Sequence, residues 1–228
     1  EVIGNEISVS PNPEPSSVAK ASLKLKEGAD KLGWESMEVP RWFKFNKTNQ
    51  GIKQSMTNTY VKWYLDKGGE LLSNILATKI KFFKKKWIIT CSEKNSRKEL
   101  IIIAKNVFLC GGAISTPFLL RSSGIKNNIG DSLQMHPTIK AIAEFDEVVN
   151  YQNMGVPVHQ VKEFSPNISF GCSISSKPFL TLAMLDNEQY LCKVEKYWQK
   201  MAIYYGAIKP SGYGTVRKLP FFKDPFVR

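Results

Sequence analysis

The chain has 228 residues, 43% of them hydrophobic and 11% aromatic, which is enough to bury a core as one large or two small domains and argues against general disorder. Its net charge of +12 would suit an anionic partner, but the densest cations, Lys79, Lys81, Lys84, Lys85 and Lys86, fall at an expected hairpin, where lysines are usually a solvated turn. Cys91, Cys110, Cys172 and Cys192 lack C-x-x-C spacing, which argues against a zinc site or disulfide framework, and no window reaches the ~18 apolar residues that span a bilayer. Reduced thiols and a cytoplasmic location are expected.

Residues 1–15 carry Pro11, Pro13 and Pro15 and are expected to be irregular. Ser16 and Ser17 can cap a helix with Val18, Ala21, Leu25, Ala29 and Leu32 at helical spacing, stopped by Gly33. The aromatic stretch 34–48 is broken by Pro40, and a second helix is expected over 55–67, before Gly68-Gly69. Strands are expected over 70–83, 87–91 and 100–109, the last buried on both faces because Ile101, Ile102, Ile103 and Val107 follow closely. A glycine turn and a helix over 113–122 come next. Residues 138–145 alternate as a strand should, 151–165 reads as loop, and 168–174 as another strand. One long helix is expected over 179–200, with Leu180, Met184, Leu191, Val194, Trp198 and Met201 on its core-facing side. Strands over 202–208 and 214–219 are joined by Pro210-Ser211-Gly212. The fold class is therefore mixed α/β or α+β, without the regular alternation of one doubly wound sheet.

The chemistry concentrates at Cys110-Gly111-Gly112-Ala113. A strand ending in two glycines lets backbone approach a ligand without an intervening Cβ, and the helix behind it offers free N–H groups and a positive dipole end to a phosphate. His136 and His159 have no evident catalytic partner, and neither a Gly-x-Ser-x-Gly elbow nor an H-E-x-x-H helix occurs.

The run Gly112-Ala113-Ile114-Ser115-Thr116-Pro117-Phe118-Leu119-Leu120-Arg121-Ser122-Ser123-Gly124-Ile125, followed by Leu133-Gln134-Met135-His136-Pro137, resembles the second signature of the glucose-methanol-choline (GMC) oxidoreductases. Two positions depart from that family: Lys126 stands where a glycine is usual, and Met135 where an aspartate is. Ala77-Thr78-Lys79-Ile80 looks like the family strand whose first residue meets the flavin adenine through its backbone. The resemblance implies FAD as cofactor, with Ala77, Gly111, Gly112, Ala113 and His136 at or near it.

It further implies part of a Rossmann-like FAD-binding domain plus a substrate domain built on an antiparallel sheet flanked by helices. The expected division is a lead-in over 1–54, a partial FAD domain over 55–137 and a partial substrate domain over 138–228. Gly-x-Gly-x-x-Gly, which cradles the flavin pyrophosphate in relatives, does not occur. The expectation is thus an internal piece of an enzyme that passes hydride from an alcohol or sugar-like CH–OH group to flavin, its catalytic base lying outside this chain, as would a possible complementary fragment. A non-catalytic remnant of such an enzyme and, more remotely, a basic nucleic-acid-binding protein are the alternatives; the main reading expects no nucleic acid and no membrane span.

Overall fold

Local chemistry decides where most elements start and stop in the computed structural model, which describes residues 19–40, 42–45, 51–96, 98–150 and 158–228. The expectations for residues 1–15, the Ser16–Ser17 cap and much of the 151–165 loop lie outside the described residues. The chain divides into two compact units, each drawn from two stretches: unit 1 from 1–68 and 136–209, unit 2 from 69–135 and 210–228. Residues 210–228, read from sequence as continuing the segment that begins at 138, thus group with 69–135.

In unit 1, helix α1 (Lys20–Lys31) ends in a Schellman cap: Gly33, at φ 69°, donates to the Asp30 carbonyl and Trp34 to that of Ala29. Short strands β1 (Ser36–Glu38), β2 (Phe43–Phe45) and β3 (Gly51–Lys53) follow, β2 and β3 forming a separate ribbon. Helix α2 (Tyr60–Asp66) starts five residues later than expected, because 55–59 turn through Asn58 and Thr59 backbone bonds to Ser55.

Numbering continues through unit 2 with β4 (Ile75–Phe83), β5 (Lys86–Glu93), β6 (Glu99–Ala104) and α3 (Gly112–Ser122). Unit 1 then resumes with β7 (Thr138–Glu144), β8 (His159–Val161), β9 (Ile168–Cys172), α4 (Lys177–Ala183), α5 (Leu191–Tyr197) and β10 (Met201–Ile208). Its main sheet has the order β1-β8-β9-β10-β7, every pair antiparallel. The period-2 alternation of β10 supplies both faces of the core. Met201 and Ile203 pack with Leu180, Met184 and Val194 of the helical side, while Ala202 and Tyr204 pack with Ala21 and Leu25 of α1.

The expected long helix over 179–200 is broken. Two helices flank a 3-10 segment, Leu185–Tyr190, in which Asn187 leaves helical geometry (φ −135°, ψ 54°). Asp186 and Asn187 are residue types whose side chains compete for nearby backbone groups, which disfavours a helix interior. The apolar stripe nevertheless packs as expected, with Leu180, Met184, Leu191, Val194, Trp198 and Met201 in one cluster. Buried Asn150 ties this region together. Its Nδ2 donates to the Ser175 carbonyl and reaches those of Met201 (3.3 Å) and Trp198 (3.4 Å).

Unit 2 carries the antiparallel meander β4-β5-β6. The lysine-rich turn is a two-residue hairpin in which Lys84 (φ 46°) and Lys85 (φ 63°) are both left-handed, as a type I′ turn requires. Strand β6 ends at Ala104 rather than 109 and is an edge strand covered on one face only. Ile102 packs against Ile80 and Ile89, while Ile101 and Ile103 are about 60% exposed. The expectation of burial on both faces fails because three apolar residues in a row cannot all point inward on a pleated edge strand. The expected 214–219 strand is shorter as well: β11 (Val216–Arg217) pairs with β12 (Phe226–Val227), not with β10. All pairings among the described residues are antiparallel, so the parallel sheet of a Rossmann-like part does not appear among them.

Candidate functional site

The glycine turn lies in unit 2. Residues 105–111 run without regular pairing, leaving Phe108 89% exposed, and α3 begins at Gly112 with φ 82°. An L side chain at Gly112 would be strained there, whereas a glycine adopts that angle freely. At Gly111 an added Cβ would lie 3.3 Å from Thr116 Oγ1 and 3.4 Å from the Thr116 nitrogen, so the turn fits tightly over the first turn of the helix.

The far end of α3 is anchored by the serine and glycine of the same motif. Ile80 N donates to Ser123 Oγ (2.8 Å), which donates to the Leu119 carbonyl (2.7 Å). Gly124 and Ile125 close a Schellman cap onto Arg121 and Leu120. Ser123 therefore staples α3 to β4, a role legible only in the fixed serine of the motif.

Ala77 sits on β4 directly before a bulge at Thr78 and opposite Cys91, whose thiol is pushed up by burial and stays protonated as core filling. Ala77 and Gly111 open onto one cavity of about 760 Å³, within the usual range of small-molecule sites. Its remaining wall includes Phe108, Leu119, Ser122 and three residues of the C-terminal loop, Lys218, Lys223 and Asp224. Among the described residues, Ser122 Oγ is the one buried side-chain oxygen or nitrogen atom without a hydrogen-bond partner. Gly112 directly follows Gly111, and Ala113 lines a smaller pocket with Gly130 and Val216.

The segment after α3 is fixed by Asp131, which pairs with Arg217 (2.6 Å) and with Arg121 (3.4 Å). Arg121 Nε also donates to the Ile129 carbonyl (2.7 Å).

The family model described as GMC oxidoreductase matches residues 2–138. The chain belongs to the GMC oxidoreductase family. It is 32% identical over 234 residues to an uncharacterised GMC-type oxidoreductase of Sinorhizobium fredii, covering 97% of this chain and 46% of that protein. A long-chain-alcohol oxidase of Arabidopsis thaliana is 28% identical over 137 residues, which is 54% of this chain and 19% of the relative. The chain thus spans less than half the length of these relatives.

Within this GMC chain, Ala77, Gly111, Gly112 and Ala113 all fall in unit 2, where the first two share the cavity. His136 is exposed and falls in unit 1, its carbonyl accepting a bond from Thr138 Oγ1 (3.2 Å). His159 is a structural residue: its backbone N–H donates to buried Ser22 Oγ (2.8 Å) and its Nδ1 lies 3.2 Å from the same atom. Neither the orphaned Ser122 hydroxyl nor the loop over 218–225 carries a sequence signal, because both become site features only through packing. No group of three or more potential metal ligands occurs among the described residues, and no helix there is long and apolar enough to cross a membrane.

Unit 1 has its own groove, between α1 and the sheet face of β7, β9 and β10, of about 630 Å³. Its lining is apolar and aromatic, with Leu25, Trp34, Phe145, Phe170 and Ile208 prominent. Gly28, in the middle of α1, faces it with nothing within 4 Å of where a Cβ would be.

Proposed function

We propose that the protein is part of an FAD-dependent oxidoreductase acting on the CH–OH group of an alcohol, with unit 2 belonging to the Rossmann-like FAD-binding domain and unit 1 to the substrate domain. The observation that carries this reading is the unit 2 cavity, onto which the family's adenine strand and glycine turn both open. The residues fit the cofactor: the turn is free of side chains where backbone must come close, and an unused buried hydroxyl points to a missing polar partner. When bound, FAD supplies a two-electron acceptor for hydride leaving the carbinol carbon. Ala77 would hold the adenine edge through its backbone N–H and C=O, Gly111, Gly112 and Ala113 would let the cofactor approach the helix N-terminus, and His136 would lie near the flavin. The base that takes the hydroxyl proton is assigned to none of the described residues.

The substrate is an alcohol or sugar-like molecule, and the unit 1 groove favours one with a large apolar body. An interior glycine costs a helix about 1 kcal/mol relative to alanine, and Gly28 has no packing neighbour that requires it. Open space above an apolar floor suits a hydrocarbon chain, in keeping with the long-chain alcohol in the Arabidopsis relative's name.

Two measurements test the reading. Flavin absorbance should co-elute with the protein on gel filtration, and FAD fluorescence should change on titration; absence of both refutes the FAD assignment. Trp34 emission should respond to 1-decanol but not to glucose, and Gly28→Leu should abolish the response; an equal response in that variant removes the groove from the proposal.

A further inference from the structure

The strongest unused feature of unit 2 is its C-terminal hairpin loop. Strands β11 and β12 pair through Val216 and Val227, Arg217 and Phe226, and Thr215 and Arg228 exchange backbone hydrogen bonds beyond them. This base is fixed to the body of the unit by the Arg217–Asp131 pair (2.6 Å) and by Arg217 Nη1 donating to the Gly130 carbonyl (2.7 Å). The loop between the strands, 218–225, therefore leaves from and returns to an anchored stem. Lys218 holds it against α3, with its ammonium 5.5 Å from the centre of the Phe118 ring and donating to the Phe222 carbonyl within the loop. The far arm of the loop places Lys223 and Asp224 on the wall of the cavity that also holds Ala77, Gly111 and Ser122.

Three polar groups on that wall are unused. Ser122 Oγ is buried without a partner, and neither the Lys223 ammonium nor the Asp224 carboxylate makes an ion pair or hydrogen bond with a described residue. Unpaired polar groups converging on an otherwise apolar cavity are the usual mark of a ligand site.

The mixture of groups narrows the ligand. A simple anion would be repelled by Asp224, and a wholly apolar molecule would desolvate both charges without return. A nucleotide answers both, offering a phosphate to the cation, hydroxyl donors to the carboxylate and a flat base to the apolar wall.

We propose that loop 218–225 is a nucleotide-binding element of unit 2. Lys223 takes a phosphate oxygen, Asp224 accepts hydrogen bonds from ribose hydroxyls, and Ser122 Oγ bonds the base or sugar. The proposal rests on reading the cavity as the FAD site and adds to it a C-terminal element that no motif indicates.

Calorimetric titration of the full chain with FAD, ADP and riboflavin tests it. FAD and ADP should bind and riboflavin, which lacks phosphate and adenosine, should bind far more weakly. Lys223→Ala and Asp224→Asn should each weaken ADP and FAD by about tenfold or more, the worth of a charge-assisted hydrogen bond. Lys84→Ala, which removes an equal charge from the distant hairpin of the same unit, should leave both affinities unchanged. Unaltered melting curves verify folding, and Ser122→Ala provides a second probe of the same wall.

If FAD binds and all three cavity variants match wild type, the loop proposal is overturned while the FAD reading stands. If ADP binds with Lys223 dependence but FAD does not, the loop proposal holds and the FAD reading falls. Loss of affinity in Lys84→Ala equal to that in Lys223→Ala reveals a bulk charge effect and overturns the proposal, as does failure of both FAD and ADP to bind.

Discussion

Gly130→Ala should loosen the stem that carries the C-terminal loop. Gly130 has φ 72°, and a Cβ added there would lie 2.5 Å from the Val216 carbonyl oxygen and 3.3 Å from Val216 Cβ. The left-handed angle alone costs an alanine about 1 kcal/mol. Relieving a contact with backbone, which cannot swing aside as a side chain can, adds about 1–3 kcal/mol. The shift also strains two hydrogen bonds to the Gly130 carbonyl, from Val216 N (2.8 Å) and Arg217 Nη1 (2.7 Å), each worth about 1 kcal/mol. A loss of about 4 kcal/mol is expected, confined to unit 2. Hydrogen exchange read by mass spectrometry should show faster exchange in peptides covering 210–228 and 112–135, with peptides from 138–208 unchanged. Gly212→Ala is the matched control, since nothing lies within 4 Å of its Cβ position and its φ is not positive. If the two variants exchange alike, the steric argument for the stem is wrong.

Replacing Lys84-Lys85 by Asn-Gly should stabilise unit 2 by about 1 kcal/mol, because both residues are held left-handed in a turn that Asn-Gly adopts more readily; a lowered denaturation midpoint would contradict this. Asn150→Ala should cost about 2–3 kcal/mol in urea unfolding, since its amide serves three carbonyls in a site that is 1% exposed, and a change under 0.5 kcal/mol would show the network is dispensable. In the native chain, exposed Cys110 and Cys192 should react quickly with a thiol reagent while buried Cys91 and Cys172 wait for unfolding. Burial pushes the Cys172 thiol up to about 12, from an ordinary value of 9.0. The folded state therefore holds its proton where the unfolded state releases it, and stability should fall as pH rises from 9 toward 12. Cys172→Ala should flatten that decline, and an identical pH profile would refute the assignment.

Much of the local structure was legible in the sequence because its causes lie within a few residues. Gly33 and Gly124 stop their helices through bonds to the preceding turn, and the apolar stripe from Leu180 to Met201 packs as one cluster although its helix is interrupted. The motif around Gly111 and Gly112 likewise revealed the turn and the family, since a positive φ and a close approach are demands that a glycine answers locally. Tertiary structure alone decided which strand meets which. Apolar residues at 101–103 cannot reveal whether β6 is central or at an edge, and Val216 carries no mark that its partner is Val227 rather than a residue of β10. The same holds for the site. Ser122, Lys223 and Asp224 are about a hundred residues apart in the chain, and they line one cavity only because a stem anchored at Asp131 returns the C-terminal loop to the wall formed by β4 and α3. Caps and turns are settled by sterics and hydrogen bonds between neighbours, whereas a cavity wall is settled by long-range packing that no window of sequence contains.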